Sequence, residues 1–245
     1  MVKSYLVTSD HKNINIASRW ANQHGLHYIE NIAQYNIDNI YIEFIDNNLL
    51  ASFYDQGQKI SVIIGFLELQ QRAKKSPFKE SIVKAIGEIK PGYQLYDLTA
   101  GFARDSFILA SYGYDIILLE KHPVIYALTK YSIEQLSGSR IGGRMKIIHQ
   151  DAIEFLDNLA PGNFVFYLDP MFIGDKRSKA KKTMQILQKI NPPDLDVEIL
   201  LKKSLAKGKK VILKRPINSR PLINDQIHHI ITGSKIKFEI YLGKG

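Results

Sequence analysis

The 245-residue chain contains no cysteine. This absence excludes disulfides, thiolate metal sites and cysteine nucleophiles, and it agrees with a reducing cytoplasm, where we expect the protein to reside. The chain also lacks a long apolar run, since the stretch 62–67 is far too short to span a bilayer. The first residues lack the apolar core of a signal peptide. We therefore expect a soluble, cytoplasmic protein with no membrane partner.

Acidic residues are the minority charge: 24 Asp and Glu stand against 33 Lys and Arg, for a net charge of +9. A surplus of this size favours a polyanionic partner, and nucleic acid is the commonest one. A basic protein without such a partner is the alternative. The seven histidines show no ligand spacing, so we expect no metal site.

The periodicity divides the chain into residues 1–72 and residues 73–245. The first part reads as a strand, a helix and a hairpin, which predicts a small α+β domain. The polar, basic segment 70–77 marks the boundary, and a helix is expected to begin at Pro77. From residue 94 onward strands and helices alternate, which predicts a mostly parallel, Rossmann-like α/β sheet. Two β-rich runs at the end of the chain predict an antiparallel edge.

A loop with a single glycine, 97–105, follows the first strand of the larger domain. Ligands of open α/β sheets bind at this end of the strands. Three spaced glycines would suit a pyrophosphate, whereas Gly101 alone suits a ligand without phosphate, such as S-adenosylmethionine. Asp97 can accept a hydrogen bond from the ammonium of that cofactor, and Arg104 can offset its carboxylate. An ordinary strand–turn–helix connection is the alternative.

The next two strands also end in a carboxylate. Glu120 can accept hydrogen bonds from both ribose hydroxyls, as in other nucleotide-binding folds. Lys121 can lie over the adenine edge through its backbone, and Asp151 can accept from the adenine amino group. One such acid would usually be a helix cap, but three consecutive strands that end this way predict a cofactor site.

The fourth strand ends in Asp169-Pro170-Met171-Phe172. This segment is similar to the Asp/Asn-Pro-Pro-Tyr/Phe signature of amino-directed nucleic-acid methyltransferases, although Asp-Pro can also be a mere turn. Asp169 and the carbonyl of Pro170 can accept the two hydrogens of an exocyclic base amine, and Phe172 can stack on the base. We therefore expect a methyl group to be transferred to a base amine at Asp169.

Basic residues cluster near this segment. We expect two groups of them to contact RNA phosphates, because topology places both at the edge of the sheet that holds the catalytic segment. A solvated surface is the alternative reading. The first group is Lys176, Arg177, Lys179, Lys181 and Lys182, and the second is Lys214 and Arg215.

With these residues in view, the chain resembles the bacterial small-subunit ribosomal RNA guanine-N2 methyltransferase J family over residues 70–245. The resemblance implies the class I methyltransferase fold, S-adenosylmethionine as the cofactor and S-adenosylhomocysteine as its product. It also implies transfer to N2 of a guanosine in small-subunit ribosomal RNA, free or in an assembling subunit. The segments that carry it are 97–105, 119–124, 168–172, 193–196, 211–216 and 237–241. The cofactor contacts that it implies are Arg104, Asp105, Glu120, Lys121, Asp151, Ala152 and Asp169.

Two other functions are compatible with these motifs. A DNA methyltransferase acting on adenine N6 or cytosine N4 would share the Asp169 segment, but residues 1–72 are small for a sequence-reading domain. An inactive RNA-binding assembly factor could share the scaffold, but the complete series of acids argues against it. A nicotinamide dehydrogenase is disfavoured by the missing glycines.

Overall fold

The computed structural model describes most of the chain, and its elements alternate in the order that the sequence predicts. The described residues are 5–30, 39–46, 48–73, 80–170, 182–190, 196–223 and 227–244. The strands are β1 Tyr5–Ser9, β2 His27–Tyr28, β3 Ile40–Ile45, β4 Asn48–Asp55, β5 Gln58–Ile64, β6 Gln94–Asp97, β7 Ile116–Glu120, β8 Met145–His149, β9 Phe164–Leu168, β10 Lys210–Pro216, β11 Ile227–Thr232 and β12 Ile236–Leu242. The helices are α1 Ile14–Gln23, α2 Leu67–Ala73, α3 Ser81–Ile86, α4 Arg104–Ser111, α5 Pro123–Glu134, α6 Ala152–Asn158, α7 Lys182–Ile190 and α8 Val197–Lys207.

Seven strands form the larger sheet, in the order β11-β12-β10-β9-β6-β7-β8. The five strands β8, β7, β6, β9 and β10 are parallel, and β12 runs antiparallel to both β10 and β11. The predicted parallel sheet with an antiparallel edge is therefore confirmed. Because the five parallel strands end on the same side, the residues after them form one border of the sheet, which we call the carboxyl edge.

The central strands are apolar on both faces. Residues 165–168 of β9 and 211–213 of β10 are buried throughout, as expected for parallel strands covered by helices on both sides. The ring of Phe107 on α4 stacks on that of Phe66, with centroids 4.7 Å apart. These contacts fix α4, and with it the loop that connects β6 to α4, against the sheet.

The five-stranded sheet of the N-terminal part has the order β2-β1-β3-β4-β5. Its apolar face packs against α5 and α7, so that Phe44 and Phe53 share one buried cluster with Leu128 and Ile186. The smaller sheet thus lies against helices that flank the carboxyl edge. The division of the chain at residue 72 stays a prediction.

The boundary segment begins as a helix, which the sequence analysis did not predict. Residues 70–73 belong to α2, because Leu69 is buried in the core of the larger sheet and anchors that helix. The guanidinium of Arg72 binds the carboxylate of Glu80, with Nη2 and Oε2 2.5 Å apart. The predicted helix start at Pro77 lies outside the described residues, and α3 occupies residues 81–86. Within the described ranges, no helix is long and apolar enough to cross a bilayer.

Candidate cofactor and active site

The loop after β6 is organised by the carboxylate of Asp97. This side chain is buried; its Oδ1 accepts from the Thr99 amide at 3.0 Å and its Oδ2 from the Ser106 hydroxyl at 2.5 Å. Burial raises the pKa of Asp97 to about 7, although both hydrogen bonds act in the opposite direction. Asp97 therefore holds the loop against the first turn of α4, and its predicted contact with the cofactor ammonium stays a prediction.

Two residues of this loop adopt left-handed backbone conformations. Gly101 and Ala103 both have φ of 52°, which costs glycine little but strains alanine by roughly 1 kcal/mol or more. The Gly101 amide donates to Glu120 Oε2 at 2.9 Å, and its carbonyl accepts from the Thr129 hydroxyl at 2.8 Å. The turn is thus held from both sides, and a Cβ at Gly101 would lie 3.9 Å from the side chain of Leu187 on α7.

Glu120 connects the loops after β6 and β7. Its carboxylate is buried; Oε1 accepts from the amide of His122 at 2.7 Å, and Oε2 accepts from Gly101. Each carboxylate oxygen has two lone pairs, so a backbone hydrogen bond to each oxygen does not by itself exclude a further bond from a ribose hydroxyl. The predicted ribose contact at Glu120 is compatible with this geometry.

Asp151 caps α6. Its Oδ1 accepts from the amides of Ile153 at 2.8 Å and Glu154 at 3.2 Å, while Ala152 is buried. Asp151 is therefore a helix cap, as the alternative interpretation held. The predicted contact with adenine stays a prediction, and Oδ2 is the oxygen that would make it. The backbone carbonyl of Lys121 lies 3.1 Å from Nε2 of His149, which is two residues before Asp151 in the chain.

Arg104 stands at the start of α4. Its Nη2 lies 3.5 Å from Oε2 of Glu68 on α2, and both side chains are open to solvent. An exposed pair of this kind contributes little to stability, about 0–1 kcal/mol. Its guanidinium can be recruited by a ligand carboxylate, and this contact stays a prediction.

Asp169 follows β9 directly and lies between two anchors. Its amide donates to the Thr99 hydroxyl at 2.6 Å, and its Oδ2 accepts from Nζ of Lys214 at 2.7 Å. The same ammonium donates to Oδ2 of Asp105 at 2.6 Å, and that oxygen also accepts from the Tyr167 hydroxyl at 2.6 Å. We call Asp105, Tyr167, Asp169 and Lys214 the Lys214 cluster. It joins α4, β9 and β10 at the carboxyl edge.

The charges of the Lys214 cluster shift one another's pKa values. Burial alone would lower the pKa of Lys214, but Asp105 and Asp169 outweigh it and raise that pKa. Burial would raise the pKa of Asp105, but the adjacent Lys214 lowers it overall. The pKa of Asp169 is raised, by burial first and also by the charge of Asp105, against the effect of Lys214. Asp169 is thus the more basic of the two carboxylates.

The structure gives Lys214 and Arg215 other contacts than the predicted RNA phosphates. The ammonium of Lys214 is engaged by two carboxylates, and Arg215 is buried, with Nη1 3.9 Å from Oε2 of the buried Glu239. The burial of Arg215 argues against its predicted contact with an RNA phosphate, and Lys214 belongs to the Lys214 cluster. Of the remaining predicted residues, Pro170 is buried and Lys182 is exposed at the start of α7. Phe172, Lys176, Arg177, Lys179 and Lys181 lie outside the described residues.

Sequence reasoning missed three residues that support the site. Thr99 was not predicted as a site residue, yet its hydroxyl fixes the backbone of Asp169. Ser106 holds Asp97, and Tyr167 holds Asp105. One of them carried a usable signal: residues two apart on a strand share a face, so a tyrosine two positions before Asp169 was placed to reach the same cluster.

The carboxyl edge is rich in acid. Five carboxylates line it, and the ammonium of Lys214 lies between two of them, Asp105 and Asp169; the other three are Asp97, Glu120 and Asp151. Such an edge suits a ligand that carries a sulfonium and an ammonium cation, and the single glycine at the turn offers no cradle for phosphate. In the parts of the chain that the structure describes, no group of three acidic or histidine side chains is placed to hold a metal ion. The donor set therefore fits S-adenosylmethionine.

Comparison with known proteins agrees with this assignment. A family described as "Putative SAM-dependent methyltransferase" matches residues 23–243. The chain is 36% identical over 171 residues to ribosomal RNA small subunit methyltransferase J of Proteus mirabilis, which covers 66% of this chain and 68% of the relative. The protein of the same name from Escherichia coli O6:H1 is 36% identical over 173 residues, which covers 67% and 69%.

The chain belongs to the ribosomal RNA small subunit methyltransferase J family. The resemblance on which the sequence analysis relied is thereby confirmed, and S-adenosylmethionine is the cofactor. The fold agrees as well: a SAM-dependent methyltransferase of Neisseria gonorrhoeae superposes with a TM-score of 0.70 at 22% identity, covering 98% of this chain and 96% of that one. The class I methyltransferase fold predicted from the sequence is therefore present.

Proposed function

We propose that this protein transfers a methyl group from S-adenosylmethionine to the N2 amine of a guanosine in small-subunit ribosomal RNA. The observation that carries the proposal is the position of Asp169. Its side chain is 37% exposed, and it is anchored to the loop after β6 through Thr99 and to β10 through Lys214. The names of the relatives supply the class of RNA.

The residues at the end of β9 prepare the amine. An exocyclic amine is a weak nucleophile because its lone pair is delocalised into the base. Oδ2 of Asp169 is bound by Lys214, so Oδ1 is the atom that accepts one amine hydrogen. The carbonyl of Pro170 accepts the other, and the ring fixes the backbone in the orientation needed. Phe172 stacks on the base with about 1–3 kcal/mol.

The methyl transfer needs no reactant besides the cofactor and the base amine. The cofactor supplies a methyl group bound to a sulfonium. The amine nitrogen forms a bond to the methyl carbon, the carbon–sulfur bond breaks, and its electron pair stays on sulfur. The amine then releases one proton, for which Asp169 is the adjacent acceptor. Holding the amine in line with the methyl group supplies much of the rate enhancement.

The cofactor is held across the ends of three strands. In this proposal Glu120 accepts from the ribose hydroxyls, while Lys121, Asp151 and Ala152 border the adenine. The methionine end would be held by the backbone of the Gly101 turn and by the polar side chains of Asp97, Arg104, Asp105 and Asp169.

RNA phosphates are bound by the basic segment 176–182, which follows the segment Asp169-Pro170-Met171-Phe172 in the sequence. With Lys214 and Arg215 assigned elsewhere, that role rests on Lys176, Arg177, Lys179, Lys181 and Lys182. The net charge of +9 supports a polyanionic substrate. The substrate is small-subunit ribosomal RNA, either free or in an assembling subunit.

The test is methylation of RNA from cells that lack the gene. Purified protein and tritium-labelled S-adenosylmethionine are incubated with small-subunit ribosomal RNA, small subunits and duplex DNA, and the labelled nucleotide is mapped. We expect label at N2 of one guanosine in the ribosomal substrate and none in DNA. Label in duplex DNA alone would establish the DNA methyltransferase, and RNA binding without label on any substrate would establish an inactive assembly factor.

A further inference from the structure

Lys214 is placed between the two carboxylates nearest to the proposed reaction. Its Nζ lies 2.6 Å from Asp105 Oδ2 and 2.7 Å from Asp169 Oδ2. The side chains of Lys214 and Asp105 are 20% and 15% exposed, less than that of Asp169. The cluster is therefore sheltered at Lys214 and open at Asp169.

We propose that Lys214 is a positioning residue for methyl transfer: it binds Oδ2 of Asp169, turns Oδ1 toward the base amine and offsets the charge of Asp105. The inference rests on the proposed function, in which Asp169 accepts from the amine. Nothing in the matched names assigns a role to Lys214.

The position of the ammonium is itself determined by the fold. Tyr167 is fully buried, and its hydroxyl donates to Asp105, which fixes the carboxylate at the start of α4. Asp105 then fixes Nζ of Lys214, and Nζ fixes Asp169. Because the two carboxylates share one ammonium, they are close neighbours, and its removal would leave two like charges facing each other.

The other charged groups around the cluster come from two further elements, β6 and α2. Asp97 at the end of β6 adds negative charge near Asp169, and Arg72 on α2 adds positive charge near Asp105. Tyr167 stays protonated because burial raises its pKa well above the ordinary value. Lys214 is thus the one cation that directly contacts Asp169 among the described residues. The raised pKa of Asp169 shows that burial and Asp105 already act against its charge.

The decisive measurement is the ionisation of Asp169 itself, followed by carbon-13 NMR of its carboxyl in protein saturated with S-adenosylhomocysteine. The signal is assigned with Asp169→Asn. We expect Lys214→Met to raise the pKa of Asp169 by about 1–3 units, since an opposite charge at contact distance is lost. Lys214→Arg keeps the charge and should leave the titration near that of the wild type.

Asp105 provides a second, independent test. In Asp105→Asn the like charge is removed while Lys214 remains, so the pKa of Asp169 should fall below the wild-type value. In the double variant Lys214→Met, Asp105→Asn it should return toward the wild type. Because Asp105→Asn retains the lysine, it tests the predicted balance of charge at Asp169 even where Lys214→Met does not fold.

The matched control is Lys210→Met on the same strand. Nζ of Lys210 donates to the carbonyl of Ile86 at 2.8 Å, at the opposite end of β10. We expect this variant to leave the titration of Asp169 unchanged. An unchanged titration in Lys214→Met, or a shift in Asp105→Asn opposite to that stated, would overturn the inference.

The kinetic consequence follows from the same charges. With ribosomal RNA as the substrate, Lys214→Met should lower kcat by about 10²-fold, with a smaller effect on KM, and should move the acid limb of the pH profile upward. An acid limb that stays in place would contradict the positioning role. If the wild type labels no RNA, the proposed function fails, whereas the NMR titration still shows whether Lys214 controls the ionisation of Asp169.

Discussion

Lys214 and Arg215 are consecutive residues of β10, yet they belong to two opposite kinds of charge cluster. The side chains of neighbouring strand residues point to opposite faces of the sheet. On one face a single ammonium lies between two carboxylates at an open edge. On the other face the carboxylate of Glu239 lies near two cations, Arg215 and Lys237, and is fully buried.

The Glu239 cluster is closed by hydrogen bonds within the protein. Nζ of Lys237 lies 2.9 Å from Oε1 of Glu239 and donates to the carbonyl of Ser219 at 2.8 Å. The Tyr241 hydroxyl donates to Oε2 of Glu239 at 2.8 Å, and burial together with this carboxylate raises the pKa of Tyr241. Its members are directed at one another, which suits a structural role.

The Lys214 cluster differs because one of its members is accessible. Asp169 remains partly exposed, so one of its oxygens can act on a ligand while the other is held. Burial, rather than the kind of charge, thus separates the closed cluster, which suits a structural role, from the cluster that we propose to serve methyl transfer. Breaking the closed cluster should affect stability, and breaking the open one should affect methyl transfer.

The largest effect is expected from Glu239→Ala. This substitution removes the buried carboxylate that lies near the two cations Arg215 and Lys237. The free energy of unfolding should therefore fall by about 3–5 kcal/mol. Urea denaturation measures it. The control is Glu198→Ala, which breaks an exposed pair with Lys202 on α8 and should cost about 0–1 kcal/mol. Equal denaturation midpoints for both variants would contradict the structural role of the closed cluster.

Asp169→Ala should affect methyl transfer rather than the free energy of unfolding. We expect kcat to fall by about 10²–10³-fold, or about 2.7–4 kcal/mol of transition-state stabilisation, while RNA binding is largely kept. Single-turnover methylation and a separate binding assay measure the two properties. The control Asp157→Ala removes a carboxylate that pairs with Lys203 on α8, away from the carboxyl edge. Near-normal turnover in Asp169→Ala would remove the residue from its proposed role.

The sequence predicted the open cluster in part. Asp169 was recognisable because it follows an apolar strand in a signature segment, and Asp105 because it lies in a segment that carries the family resemblance. The partner of Asp169 was not recognisable, since β10 is covered on both faces and residues 211–213 are apolar without alternation. Such a strand does not reveal which face Lys214 or Arg215 takes.

The fold was more predictable than the boundaries. Alternating strands and helices fixed the sheet, since parallel strands need crossovers. The segment 70–73 was read as a linker because its residues are polar, but one buried contact at Leu69 is enough to hold α2 in place. Burial of that kind depends on residues distant in sequence, so local composition does not show it.

Glu120→Ala tests the part of the carboxyl edge that lies outside both clusters. Loss of the charged acceptor should weaken S-adenosylmethionine binding by about 1–3 kcal/mol, because ribose hydroxyls lose their partner. Isothermal titration calorimetry measures the Kd. Glu88→Ala, which removes an exposed carboxylate before β6, is the control and should leave the Kd unchanged. A Kd in Glu120→Ala equal to that of the control would exclude the ribose contact.

The smallest effect concerns the salt dependence of RNA binding, and it separates Lys214 from the basic segment. Phosphate contacts release counterions, with a slope of about −0.7 per contact on single strands in a plot of log affinity against log salt. Replacing Lys176, Arg177 and Lys179 together with Ala should make this slope less steep by roughly 2, so affinity should change by about fourfold less for each doubling of salt. Lys182→Ala, at the exposed start of α7, should change it by about 0.7.

Lys214→Met should leave the slope unchanged, because its ammonium is already bound by two carboxylates and releases no counterion when RNA binds. A charge-matched control replaces Lys202, Lys203 and Lys209, which lie on α8 and at the amino-terminal end of β10, and should also preserve the slope. Affinity is measured at several salt concentrations for all variants. A slope flattened by Lys214→Met would mean that its charge reaches phosphate after all. If the triple Ala variant of the basic segment gave the same slope as the wild type, the RNA-binding surface would lie elsewhere on the protein.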